Sequence, residues 1–292
     1  MESCIKTKTA SLLVVSILFF FQRTQAMENG GAVTSSLAGA GRASVDVVDG
    51  PSSNPASIAA MRGFFFSSSV SSYKEKADQQ QDLQVQQLQI NLIDATDDNW
   101  LPAAVKYSKK TSSIEKEISA QSQVELSLAN RFAEKVYFGM GGYLQKTDIY
   151  ESSNYSQTNL RLGGIYAISD NWGVGFVAEN ILTDTSKAPE QMRQLPLYAL
   201  GSAMVFESIF RLRMDIENSN AANTYRVGLE HYLNSFLNLR MGAATSVELS
   251  KEEWGAGFGF HGPKFGVHYG YLSSKTPSQS VARHSVDLVI PF

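Results

Sequence analysis

The sequence predicts an all-β chain, a transmembrane antiparallel β-barrel of about 14 strands with an N-terminal hatch or plug segment. Three observations predict it. About 14 runs of roughly ten residues alternate apolar with polar side chains, the period of a strand that has one apolar face. The connections between the runs alternate long and short, as the loops and turns of outer-membrane barrels do. No segment after the N-terminal leader is apolar for the ~18 residues that mark a membrane helix, whereas about ten residues let a tilted strand cross a bilayer.

Composition points the same way. A chain of 292 residues fits one large β domain as readily as two ordinary ones. Its 22 Gly, 12 Tyr and 16 Phe, against 18% charged residues, suit many strands with aromatic ends, and the mean hydropathy of −0.15 argues against a helical membrane protein.

Residues 1–26 read as a secretory signal peptide. Lys6 and Lys8 precede the apolar run from Ala10 to Phe21, and Thr24-Gln25-Ala26 offers small residues at a cleavage point, so the mature chain is expected to start at Met27. The run is short for a spanning helix. Cys4, the only cysteine, lies in this leader; the mature chain then has no disulfide, no thiol chemistry and no lipoprotein-type cysteine. Its 22 basic and 27 acidic side chains give a formal charge of −5, without the basic face that nucleic-acid binding needs.

Residues 27–61 form the expected plug. The segment is rich in small residues yet too apolar for a purely disordered tail, carrying Val33, Leu37, Val45, Val47, Val48 and Ile58. Within it, Asn54-Pro55-Ala56 predicts a tight, rigid turn. Pro55 fixes its own φ and biases Asn54 away from helix, while the Asn54 side chain can hydrogen-bond local backbone.

The barrel then occupies 62–292. Strands are expected near 62–73, 83–93, 100–108, 120–132, 135–146, 156–168, 171–183, 195–206, 208–217, 223–232, 236–246, 252–261, 264–273 and 281–292. In the first, Phe64 and Phe66 face lipid. In the fourth, Val124, Leu126, Leu128 and Phe132 lie opposite Gln123, Glu125, Ser127 and Arg131. In the ninth, Phe210, Leu212, Met214 and Ile216 oppose Arg211, Arg213 and Asp215, and in the twelfth Trp254, Ala256, Phe258 and Phe260 oppose Glu253 and three glycines. The last strand alternates Val286, Leu288, Ile290 and Phe292 with polar residues, and its terminal aromatic Phe292 is expected to be read by the barrel-insertion machinery.

The connections run from YKEKADQQQD and DATDDN through to HGPK and SSKTPSQS, long then short each time, which places both ends of the barrel at the short-turn, periplasmic side. Trp100 and Trp172 sit at short-turn ends, Trp254 and Tyr271 near long-loop ends, the two edges where a bilayer interface selects aromatics.

With apolar faces outward, polar faces line the lumen. The inward basic residues are Lys106, Arg131, Arg161, Arg211, Arg213, Arg226, Arg240 and Arg283, and the inward acids Glu125, Glu179, Asp215, Glu230, Glu253 and Asp287. An ion-selective pore favours rings of one sign. Near balance instead predicts an interior cross-linked by ion pairs, or a solvated polar one. Two faults in neighbouring strands could open the wall: a change of apolar phase at Gln86-Gln87, which reads as a β-bulge, and Pro102, which cannot donate a ladder hydrogen bond. Both could equally be curvature devices. The four histidines, His231, His261, His268 and His284, have no metal-ligand spacing, and no GxSxG is present, so no catalytic residue, metal or cofactor is expected.

LAGAGRASVDVVDGPSSNPASIAAM (37–61) leading into FFFSSSVSSY resembles the hatch of the outer-membrane fatty-acid and toluene transporter family, where a Gly-rich start and an Asn-Pro-Ala motif precede the first strand. NWLPAAVKYSKK (99–110) is similar to that family's third strand, and GVGFVAENILTD (173–184) to a strand of its relatives, including the porin V type proteins of type IX secretion. The resemblance implies a 14-stranded barrel, a hatch within it, and uptake of small hydrophobic molecules that leave sideways through the wall. The loops here are shorter and more polar than the apolar collecting site of those transporters. Two functions therefore stand: movement of hydrophobic molecules across the outer membrane, or a structural or secretion-accessory barrel that binds a protein partner. Outer-membrane lipid is the expected surroundings in either case.

Overall fold

The computed structural model describes residues 30–77, 83–114, 117–148, 154–182, 194–219, 222–277 and 279–292; the expected signal peptide lies outside the described residues. Fourteen strands follow one another: β1 (Gly63–Ala77), β2 (Leu83–Ala95), β3 (Ala103–Ile114), β4 (Glu117–Ala133), β5 (Val136–Asp148), β6 (Tyr155–Ser169), β7 (Trp172–Glu179), β8 (Leu197–Phe206), β9 (Phe210–Ser219), β10 (Ala222–Tyr232), β11 (Leu237–Ser246), β12 (Lys251–His261), β13 (Gly266–Thr276) and β14 (Gln279–Pro291). Each pairs antiparallel with its neighbours, and β14 closes on β1 from Phe65↔Pro291 to Ala77↔Gln279. Closure removes the sheet edges. Each strand then has a ladder partner on both sides, so the paired backbone groups are satisfied without water, as a spanning sheet requires.

The side-chain period decides which face is which. In β5, Phe138, Met140 and Leu144 are exposed while Gly139, Gly141, Tyr143, Gln145 and Thr147 are buried. The apolar face is the outer one all round, with Val70, Leu92, Val124, Phe176, Leu200, Met214, Leu239 and Phe258 exposed. Exposed apolar surface this continuous fits lipid. Aromatics gather at the short-turn ends: Trp100 and Phe132 are 82% and 86% exposed, and Trp172, Phe206, Phe236, Phe265 and Phe292 continue the ring.

The connections do not alternate long and short as expected: strands extend through most of the expected long loops, so two residues separate β3 from β4, β9 from β10 and β13 from β14, while seven separate β2 from β3. Three local features also differ from the expectation. The ladder through Gln86 and Gln87 is unbroken, Ser72↔Gln86 and Ser71↔Gln87 on one side and Gln86↔Thr111 and Gln87↔Lys110 on the other, so there is no bulge. The apparent phase change arises because β2 turns apolar Val85 and Ile93 inward, in step with buried Gln87, Gln89 and Asn91, while Leu88 and Leu92 stay outside. Pro102 precedes β3 and takes no part in its ladder as a failed donor; its carbonyl accepts the Ala129 N–H at 2.9 Å. The irregularities that do occur lie at short turns, between Arg131 and Ala133 and between Ala167 and Ser169. Finally, β7 ends at Glu179, four residues before the expected boundary, because Asn180 adopts a left-handed φ of 60°.

Strand length is uneven. β1 to β6 have 12 to 17 residues, β7 to β13 only 8 to 11. Residues 155–160 of β6 therefore rise past the end of β7, whose first partner pair at that end is Arg161↔Glu179. This is a step in the wall.

Segment 30–61 carries α1 (Ala32–Ser36), α2 (Gly50–Ser53) and a 3₁₀ helix (Pro55–Ala60). α1 packs on β11 to β14, and the 3₁₀ helix on β2, β4, β5 and β6, so the segment meets inward faces on opposite sides of the barrel. Its apolar residues make small clusters with the wall. Ile58 and Met61 pack with Ile93, Ala95, Ala104 and Ala129, while Val33, Leu37, Ala40 and Val48 pack together against Val289.

Candidate functional site: the ion-paired lumen

Asn54 is the anchor of the lumenal segment. It is fully buried and extended, with φ −157° and ψ 111°. Its Oδ1 accepts the Ala56 N–H at 3.0 Å, which starts the 3₁₀ helix, and Pro55 occupies the first helical position, where its missing donor is harmless. Its Nδ2 donates to Arg42 O at 2.7 Å, Gly164 O at 3.1 Å and Phe176 O at 3.3 Å, tying two parts of the segment to β6 and β7. The wall makes room with glycine. A Cβ at Gly163 would run into the Asn54 side chain, and one at Gly139 would lie 2.5 Å from Ala56 N. Asn54, Pro55 and Ala56 thus sit together against β5 to β7.

Charges on the inward strand phase form separate networks. Glu125 lies between Lys106 (2.7 Å) and Arg161 (2.6 Å), and Arg161, with 0% of its side chain exposed, also pairs with Glu179. Lys106 reaches the segment through Ser52 Oγ at 3.1 Å. A second network joins Arg42 to Glu217 (2.7 Å), Glu217 to Arg226 (3.2 Å), Arg226 to Glu253 (3.1 Å) and Glu253 to Lys251 (2.9 Å). A third converges on Glu230, approached by Arg211 (3.3 Å), Arg213 (3.3 Å) and Arg240 (2.5 Å). Asp215 and Asp287 hold the segment's backbone instead, accepting Gly41 N–H at 2.6 Å and Ala32 N–H at 2.7 Å. Arg283 lies over the Tyr73 ring at 4.8 Å. Charges taken out of water need such partners.

Arg131 differs. It keeps the inward phase but sits beyond the last lumen rung, exposed, donating to the carbonyls of Ala133 and Glu134 in the β4–β5 turn. Gln87 faces the lumen and Gln86 the outside, on a continuous ladder that Pro102 does not interrupt. Phe292 donates its N–H to Phe64 O at 2.9 Å and sets its ring edge-on to Phe64 at 5.7 Å, where the barrel closes.

Several lumen residues lay outside the sequence-based set. Glu217 follows Arg213 and Asp215 in phase, so the period itself marks it. Arg42, Asp46 and Asp49 lie in a segment with no period and could not be placed. Burial, countered by Glu217 and Glu179, leaves the Arg42 guanidinium holding its proton more tightly than usual. Burial, with Asp46 beside it, pushes the Asp49 carboxyl above the ordinary carboxylate range; it caps α1 by accepting Gly31 N–H at 2.8 Å and Thr34 N–H at 2.9 Å. At the step above β7, Asn180 bonds Tyr143 and donates to Leu195 O at 2.8 Å, and Gln194 donates to Gln145 Oε1 at 2.8 Å. His261 and His268 lie 4.9 Å apart, and among the described residues no group of three metal-ligating side chains forms.

The architecture has solved counterparts. The monoaromatic hydrocarbon channel CymD superposes with a TM-score of 0.76 at 12% identity, covering 91% of this chain and 99% of that one. The chain has the fold of the monoaromatic hydrocarbon channels. The toluene transporter TodX of Pseudomonas putida matches with a TM-score of 0.74 at 11% identity (92% and 99% covered), and the toluene transporter TbuX of Ralstonia pickettii with 0.73 at 11% (91% and 99%). No protein-family model matches the sequence, and no curated protein matches it at a significant level. At such identities the likeness concerns the fold.

Proposed function

We propose that the chain is an outer-membrane barrel of the hydrophobic-compound transporter type. In this reading residues 1–26 are a removed leader, the short turns and both ends of the mature chain face the periplasm, and residues 27–61 form the hatch. Small hydrophobic molecules enter from the long-loop end and leave sideways through the wall into the bilayer. The observation that carries the reading is the hydrocarbon-channel fold together with a segment packed across the lumen and tied to both sides, which favours an exit through the wall over an axial one. The step at β6–β7 is the place where the ladder stops short.

Paired cysteines at Leu160 and Ile181, whose backbones meet where Ile181 N–H donates to Leu160 O at 3.4 Å, test the exit in a mature chain otherwise expected to lack cysteine. Oxidation should stop uptake of radiolabelled toluene by cells and reduction should restore it. Equal uptake in both states removes this exit. A second reading, a structural or secretion-accessory barrel with a protein partner, draws on the mostly polar, ion-paired wall of the lumen. It is favoured if the unaltered protein gives cells no uptake at all.

A further inference from the structure

The outer face of the barrel is not uniform. On β6 to β12 the outward phase carries no lysine or arginine, whereas β1, β3 and β5 carry Lys74, Lys109 and Lys146, all exposed; β13 carries one more, Lys275, which stands opposite Glu252 of β12. Lys109 and Lys146 are both cross-strand partners of Ser122, so they stand two strands apart on one rung, about 10 Å at the usual strand spacing. None of the three makes an ion pair among the described residues.

Height fixes what these lysines meet. Lys146 lies eight residues along β5 from the outward Phe138 and Lys74 ten along β1 from Phe64, two aromatics near the short-turn end, and Lys109 shares the Ser122 rung with Lys146. A tilted strand climbs ~2.6 Å per residue along the barrel axis, which puts the ammonium groups roughly 21–26 Å above the short-turn girdle. That is the far edge of an apolar band about 25 Å tall. Around them the outward positions include Gln84, Gln86, Thr111, Ser113 and Ser122, hydrogen-bonding groups, with Leu88 opposite Lys109 and the carboxylate of Asp148 two residues beyond Lys146. The long strands β1 to β6 thus raise a polar, cationic panel just above the lipid tails, where headgroup phosphates lie.

We infer that Lys74, Lys109 and Lys146 form a binding panel for a phosphorylated glycolipid of the outer leaflet. The inference rests on the membrane orientation given under Proposed function. Lysine suits this role as a long-stemmed point charge that lays its methylenes on the apolar band and lifts its ammonium to a phosphate. Serine, threonine and glutamine beside it match sugar hydroxyls.

The test uses the full mature chain refolded in a zwitterionic detergent and titrated with diphosphorylated lipid A, with thermal unfolding as the readout. Replacing Lys74, Lys109 and Lys146 together by Gln should weaken the apparent affinity at least tenfold, and replacing them by Arg should keep it. A charge-matched control, Arg62→Gln with Lys135→Gln and Lys264→Gln at the opposite rim, should bind as the unaltered protein does. Unaltered protein should bind the dephosphorylated glycolipid at least tenfold more weakly. Equal affinity in the Lys-to-Gln variant, an equal loss in the opposite-rim control, or no preference for the phosphorylated lipid each overturns the inference. Because none of these readouts involves uptake, they are separate from the transport test, and binding lost in the opposite-rim control alone overturns the inference as well.

Discussion

Asn54 offers the sharpest quantitative test of how the lumenal segment is held. Asn54→Ala removes the acceptor for Ala56 N–H (3.0 Å) and the donor to Arg42 O (2.7 Å) and Gly164 O (3.1 Å). At about 1 kcal/mol net for each bond, docking of the segment should weaken by about 3 kcal/mol, roughly a 150-fold rise in local opening. Asn54→Asp should be worse by a further factor of ~10, because an ionised carboxylate would face three carbonyl oxygens with the Ala56 N–H as its one donor, and a buried charge left short of partners costs more than a lost neutral bond. Amide hydrogen exchange over residues 50–60, read by mass spectrometry on protein in lipid vesicles, measures the opening. Exchange in β9 to β14 and heat-modifiable gel migration should hold steady, since those ladders make no bond to Asn54. Protection of residues 50–60 that stays within threefold of normal in both variants, or an Asp variant no worse than Ala, would refute this account of the anchor.

Two further outcomes follow from the charges. Glu125→Gln leaves buried Lys106 and Arg161 short of their shared carboxylate and should lower stability by about 3–5 kcal/mol in urea unfolding from vesicles, with Lys106→Met added to it recovering a large part; a loss below ~1 kcal/mol would mean solvent reaches this network. Asp49, whose carboxyl is raised by burial and by Asp46, binds its proton more tightly in the docked segment than in a released one, so docking should be firmest in acid and weaken as pH climbs above about 4. Asp49→Asn should flatten that slope in hydrogen exchange over residues 30–53; a slope of the opposite sign, or one that Asp49→Asn leaves intact, would show that other groups set it.

What the sequence determined alone was everything that depends on neighbours one or two positions apart. Alternation is local, so all fourteen strands were legible, as was the inward phase of Lys106, Glu125, Arg161 and Glu230; the parity of long and short connections was not kept, because the strands run on through residues read as loop and leave two between β3 and β4 or β9 and β10 against seven between β2 and β3. Phase could not tell an inward apolar side chain from an inserted residue, which is why Val85 and Ile93 read as a shift at Gln86-Gln87 when the ladder there is continuous. Nor could it show where the lumen ends, so Arg131 was counted inside although it caps a turn.

Tertiary structure alone decided the partners. Arg42 meets Glu217, 175 positions away, and Asp287 caps a helix 255 positions earlier, because barrel closure and register, not sequence distance, set which inward residues share a height. The lumenal segment has no period to read; its path is fixed by inward glycines that admit its backbone and by acids that accept its amides. The step at β7 likewise depends on Asn180 leaving the strand conformation to bond Tyr143 and Leu195 across the barrel wall, a choice made by contacts that exist only once the sheet has closed.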